Sequence, residues 1–165
     1  MGLGRAVRHL FAPSARRAFD DAALARIAAA VAADEARHRG EVVFAVEGGL
    51  PAWAALRGVP ARARAEALFA RLRVWDTEAN TGVLLYLLLA DRRIEVVADR
   101  GLASVAPERW RAVCALVEAR MATGDAEAAV LAGLQAIGDV LAEACPRTPG
   151  VDDADELRNH PHVLG

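Results

Sequence analysis

Lysine is missing altogether from this chain of 165 residues, and all 20 basic side chains are arginine. With alanine abundant as well, this points to a GC-rich coding sequence, so arginine alone says little about phosphate recognition. Cysteine and long apolar runs are also scarce. Cys114 and Cys145 fall within or at the end of apolar helical patterns, where reduced, buried thiols sit, and this argues against a disulfide framework. The longest apolar run, Val83–Ala90, has eight residues, whereas a membrane-spanning helix needs about twenty. The arginine-studded N-terminus lacks the apolar centre of a secretory signal. These absences predict a cytoplasmic protein with no transmembrane segment. Nor does one sign of charge dominate: the net charge is −2 with acids and bases interspersed, which excludes the broad positive field of a nucleic-acid-binding surface. No glycine-rich loop joins a strand to a helix, so no nucleotide is expected, and no haem.

What is present is a packed α/β pattern. Hydrophobic types make up 55% against 25% charged, which fits one globular domain over residues 1–146 followed by an extended or mobile tail over 147–165. Leu3–Phe11 forms a basic amphipathic segment, and the first nineteen residues hold Arg5, Arg8, Arg16 and Arg17 with no acid. Such a segment could touch anionic lipid, but the commoner arrangement, and the one expected, is a terminal helix packed on the domain with its arginines in water. Asp20 caps a helix that buries Leu24, Ile27 and Val31 and ends by Gly40. Glu41–Glu47 is apolar on both faces, as a strand covered on both sides must be. A helix from Pro60 to about Arg73 and the strand Val83–Ala90 complete a parallel crossover. Asp91 and Arg92 turn the chain into a second, antiparallel strand, Arg93–Ala98. Helices opened by Pro107 and ending near Pro146, with Gly124 between them, finish the domain. The sum is a small mixed sheet with helices on both sides.

Ligands in such folds collect where loops leave strand ends. Asp76, Glu78 and Asn80 offer oxygen donors at alternate positions in the loop before the central strand, Glu47 closes the first strand and Asp99 closes the third. Hard cations such as calcium or magnesium bind sets of this kind. The same residue types also make ordinary turns that bond their own backbone. An EF-hand is excluded, because the glycine is seventh and the twelfth residue is Leu87. Cys114 and Arg120 have the spacing of a thiol phosphatase but share one amphipathic helix, which makes Cys114 a core residue. His9 and His38 are expected to be solvated on helical surfaces. His160 and His162 lack the partners that a zinc site needs, so zinc is not expected. Trp53, Trp75 and Trp110 are expected in core or edge packing. No nucleophile–base pair stands out, so any catalysis is expected to be metal-assisted.

Three runs carry a resemblance: Ala61-Arg62-Ala63-Arg64-Ala65, then Val74-Trp75-Asp76-Thr77-Glu78-Ala79-Asn80-Thr81-Gly82-Val83-Leu84-Leu85-Tyr86, then Ile94-Glu95-Val96-Val97-Ala98-Asp99-Arg100-Gly101. With Phe19, Glu35, Gly40-Glu41, Glu47, Trp110 and Glu156-Leu157, they resemble the TPM domain family, in particular its short bacterial members without a membrane anchor. The resemblance implies a three-layer α/β/α sandwich. It also implies divalent-metal binding at an acidic surface site and, for some members, acid phosphatase activity. Two expectations follow. One is a metal-dependent phosphatase in which Asp76, Glu78, Asn80, Asp99 and Glu47 supply the calcium or magnesium site and Arg100 steadies a phosphate. The other is a non-catalytic module that docks a protein partner, near the cell envelope, through the same acidic face.

Overall fold

A computed structural model describes residues 2–151 and 155–165. Its centre is a four-stranded mixed sheet of order β3-β2-β1-β4. Strands β1 (Glu41–Glu47) and β2 (Gly82–Leu88) run parallel with Glu41 opposite Gly82, and β3 (Arg93–Ala98) runs antiparallel to β2 with Ala98 opposite Val83. Every residue of β1 and β2 is buried, which explains why both read as unbroken apolar runs: a central strand has no wet face. The alternation of side chains divides them between two cores. On one side Val42, Phe44, Val46, Val83, Leu85 and Leu87 meet α2 (Ala15–Ala18), α3 (Asp21–Asp34), α6 (Pro107–Met121) and α7 (Ala126–Ala144). On the other, Val43, Ala45, Leu84, Tyr86 and Leu88 meet α1 (Gly2–Leu10), α4 (Ala52–Leu56) and α5 (Ala61–Arg71). The result is an α/β/α sandwich.

Local chemistry sets the helix ends. The Asp20 side chain accepts from the Ala23 amide at 2.7 Å and Asp125 accepts from Ala128 at 2.9 Å, so each satisfies an otherwise orphaned donor at a helix start. Gly124 takes a left-handed φ of 93° between α6 and α7.

Several boundaries differ from the sequence expectation. Helix α3 stops at Asp34 rather than Gly40, because residues 37–39 leave it to pair with the chain after α7: Arg39 donates to Cys145 O and Arg147 donates to Arg37 O. Strand β2 ends at Leu88, and the turn takes four residues, 89–92. Leu89 and Ala90 donate to Glu47 O and Gly48 O across the parallel neighbour, which draws them out of the hairpin. The short helices α2 and α4 had no periodic signal. The tail does not stay free: β4 (His162–Leu164) adds to the sheet edge, parallel to Ala45–Glu47 of β1. The part of the expected tail at 152–154 lies outside the described residues.

His9 and His38 are buried rather than solvated. The His9 Nδ1 accepts from the Leu50 amide at 2.9 Å, so the proton of a neutral ring sits on Nε2, 3.0 Å from Asp91 Oδ1. Trp53 and Trp75 are exposed rather than packed, with Arg57 and Arg73 lying over their rings. Cys114 is half-buried on α6 with Arg120 on the same helix, and burial pushes its thiol pKa up, the reverse of what a nucleophile needs.

Candidate metal centre

Because β1 and β2 are parallel and β3 is antiparallel, the starts of β1 and β2 and the end of β3 share one rim of the sheet. The loop before β2, Asp99 and Arg100 all reach that rim. Glu47 does not. It sits at the far end of β1, about 20 Å away at the rise of an extended strand.

At that far end Glu47 is fully compensated. Arg64 donates Nε and Nη2 to its two oxygens at 2.9 and 2.7 Å, and the Tyr86 hydroxyl donates to Oε2 at 2.7 Å. Burial, followed by this bond to Glu47, holds the Tyr86 proton well above the ordinary phenol range. A carboxylate closed in by a two-pronged arginine and a phenol is a structural ion pair that ties β1 to α5.

At the near rim the loop residues find separate partners. Asp76 pairs with Arg73 at 2.7 Å, and the Asn80 Oδ1 accepts from Arg100 Nε at 3.1 Å. Asp99 caps the 3-10 turn Arg100–Leu102 through the Arg100 amide, while its other oxygen is buried without a partner. Asn80 has φ 54°, and its carbonyl accepts from the Gly101 amide; a Cβ on Gly101 would lie 2.4–2.5 Å from the carbonyls of Ala79 and Asn80, so only glycine permits this closure. Among the described residues, no three of the carboxylates of Asp76, Glu78, Asp99 and Glu47 meet within 4.8 Å of one another. Arg100, the residue expected to steady a phosphate, donates its Nε to Asn80 Oδ1.

The carboxylates that do meet are Glu35, Glu41 and Asp155, each with an oxygen within 4.8 Å of the others. They arrive from three directions. Glu35 follows α3, Glu41 opens β1, and Asp155 belongs to the returning tail. Glu41 accepts the tail amides of Glu156 and Leu157 at 3.1 and 3.3 Å, and Asn159 donates its side-chain amide to Glu35 Oε2 at 2.8 Å. Glu156 in turn accepts from the Glu78 amide at 2.8 Å, which joins this cluster to the loop before β2. A cavity of about 240 Å3 opens here, lined among others by Glu35, His38, Glu41, Arg147, Asp155 and Asn159.

Burial and mutual repulsion both work against charge on these carboxylates. Burial, then repulsion from Glu41, raises the Glu35 pKa to about 8, and burial also raises Glu41 against the pull of its two amide partners. Glu35 Oε1 and Asn159 Oδ1 are buried acceptors with no partner. Buried acceptors are ordinarily satisfied. An all-oxygen set with unspent lone pairs fits a hard divalent cation, with carboxylates and an amide carbonyl as donors and room for water in the remaining positions.

A family model for the TPM domain matches residues 15–140. The chain belongs to the TPM domain family. The solution structure of the BA42 protein from the psychrophilic bacterium Bizionia argentinensis superposes on this TPM domain with a TM-score of 0.72 at 21% identity, covering 87% of this chain and 94% of that one. At that identity the likeness shows the shared fold. Among curated proteins none matches. No helix among the described residues is long and apolar enough to cross a membrane. The matched segment contains Glu35 and Glu41 but stops before Asp155 and Asn159, so the third carboxylate of this TPM domain comes from the tail.

Two signals bore on this cluster before the fold was known. Glu41 opens a strand that is apolar on both faces, which forces a carboxylate toward the interior, and Glu35 and Glu156-Leu157 are among the residues that carry the sequence resemblance. Nothing in the sequence brings Asp155 back to them.

Proposed function

We propose that this TPM domain binds a divalent cation, calcium in preference to magnesium, through Glu35, Glu41, Asp155 and the Asn159 carbonyl oxygen. The observation that carries this reading is Glu35 Oε1, a buried oxygen with no partner beside two further carboxylates. Calcium is favoured because its coordination tolerates irregular sets of six to eight oxygens, whereas magnesium demands a near-ideal octahedron. Bound there, the ion fastens the tail to the start of β1, where Glu41 already holds two tail amides.

The ion's role beyond fastening divides into two readings. In a metal-dependent phosphatase it polarises a phosphoryl oxygen and activates a water. In a binding module the ion shapes an acidic face for a protein partner. The use of Glu41 and Glu35 as acceptors for tail groups favours the binding module, since donors committed to holding the tail leave fewer positions for substrate. Calorimetric titration with calcium and with magnesium, using wild type and Glu35→Gln, tests the cation. A phosphomonoester assay with the same proteins and calcium tests the chemistry. Binding lost in Glu35→Gln without turnover in wild type supports the binding module. Turnover that needs both metal and Glu35 supports the phosphatase. Absence of binding in wild type overturns both.

A further inference from the structure

Helix α1 is mounted the wrong way round for an ordinary surface helix. An amphipathic helix normally turns its apolar stripe to the core. Here the inward residues are Ala6 and the buried His9, and the apolar residues face water: Leu3, Leu10 and Phe11 are 74%, 68% and 77% exposed, and Val7 is exposed beside them. Their spacing of i, i+4, i+7 and i+8 puts all four on one stripe. This exposure does not come from a loose helix. Arg5 Nη2 donates to Val59 O at 2.8 Å and to Asp91 at 2.6 Å, Arg8 reaches the same carboxylate at 2.5 Å, and the Leu50 amide holds His9. Burial works against a charge on Asp91, but the bonds from Arg5 and Arg8 outweigh it and hold its pKa down to about 2. The helix is locked through its polar face.

Helix α4 extends the ridge. A Cβ on Gly2 would lie 2.9 Å from Leu56 O, so the two helices touch there, and Leu56 and Trp53 of α4 are exposed as well. Neither residues 2–12 nor residues 51–58 contain an acid, while Arg5, Arg8 and Arg57 lie in them. Among the described residues Arg5 and Arg8 both pair with Asp91, so three arginines against one aspartate leave the ridge a net charge of +2. In a chain of net charge −2, this side is positive and the remainder more strongly negative.

We propose that the α1–α4 ridge docks on an anionic lipid surface. Rigid apolar side chains that protrude need a soft apolar phase rather than a matching cavity, tryptophan suits the headgroup level, and flanking arginines meet lipid phosphates. A second copy of the chain is disfavoured, because a two-fold contact would set one positive ridge against another. This docking is independent of the cation site.

The test is co-sedimentation of the whole protein with vesicles of phosphatidylcholine alone and of phosphatidylcholine with roughly one third phosphatidylglycerol, for wild type, the double variant Leu10→Glu/Phe11→Glu and Trp53→Ser. Wild type is expected to bind the anionic vesicles about tenfold more tightly than the neutral ones, given two net basic groups near the surface at roughly 1 kcal/mol each. The double variant is expected to lose that binding and Trp53→Ser to weaken it, with melting temperatures unchanged. No binding of wild type to anionic vesicles overturns the proposal, as does equal binding by the double variant. Ridge-dependent self-association without lipid, seen by sedimentation velocity, overturns it in favour of a second copy.

Discussion

Strand β1 begins and ends with a buried glutamate, and the two are treated in opposite ways. Glu47 meets a guanidinium and a phenol hydroxyl, so its charge is answered inside the protein. Glu41 meets two backbone amides and lies beside two more carboxylates, and burial raises its pKa. A buried ion is tolerable only when paired and hydrogen-bonded. The end that closes its own account is architecture, and the other end is where we place the proposed cation.

The largest effect should come from breaking the closed end. Glu47→Ala strands the Arg64 charge and the Tyr86 hydroxyl and is expected to cost about 3–5 kcal/mol in urea denaturation. A loss below about 1 kcal/mol would mean that the pair is as weak as a surface bridge. Next is the open end. Calcium at about a hundred times its dissociation constant should stabilise wild type by about 2.7 kcal/mol, a rise of roughly 5–10 °C in melting temperature, and Asp155→Asn should shrink that rise while leaving the Glu47 end unaffected.

A third prediction sharpens the contrast through pH. The folded pKa of Glu35, about 8, lies above its ordinary 4.5, so the cation-free folded state holds a proton that the unfolded state has released between those values. Its contribution to stability is therefore full below about 4.5 and is lost as pH rises through about 8. In EDTA, melting temperature should fall by a few degrees over that window, Glu35→Gln should flatten the slope, and saturating calcium should abolish it by favouring the carboxylate. The smallest effect expected is that of Tyr86→Phe, about 1 kcal/mol, because Arg64 still holds Glu47 from two sides.

The sequence showed the sheet clearly and the site poorly, for a common physical reason. β1 and β2 are buried on both faces and therefore announce themselves as apolar runs, and helix caps such as Asp20 act within four residues, so local reading finds them. The loop of Asp76, Glu78 and Asn80 reads as a ligand set because alternate oxygens are local, while the pairing of Asp76 with Arg73 and of Asn80 with Arg100 is visible only in the fold. Glu47 ends a strand, a position from which a side chain can face a ligand, but its partner Arg64 lies on α5, seventeen residues on. The acidic cluster joins Glu35 and Glu41 to Asp155 by way of the tail, which returns to the sheet as β4. Contacts at that separation leave no local periodicity. His9 and His38 were misplaced for the same reason, since each is buried by a segment distant in sequence.

The most direct test of a cation at the start of β1 is amide NMR during substoichiometric addition of manganese, which broadens resonances near the bound ion. Broadening centred on Glu35, Glu41 and residues 155–159, and displaced by calcium, is the predicted result. Broadening centred on Asp76–Asn80 and Asp99, or spread evenly over acidic surface residues, would contradict it.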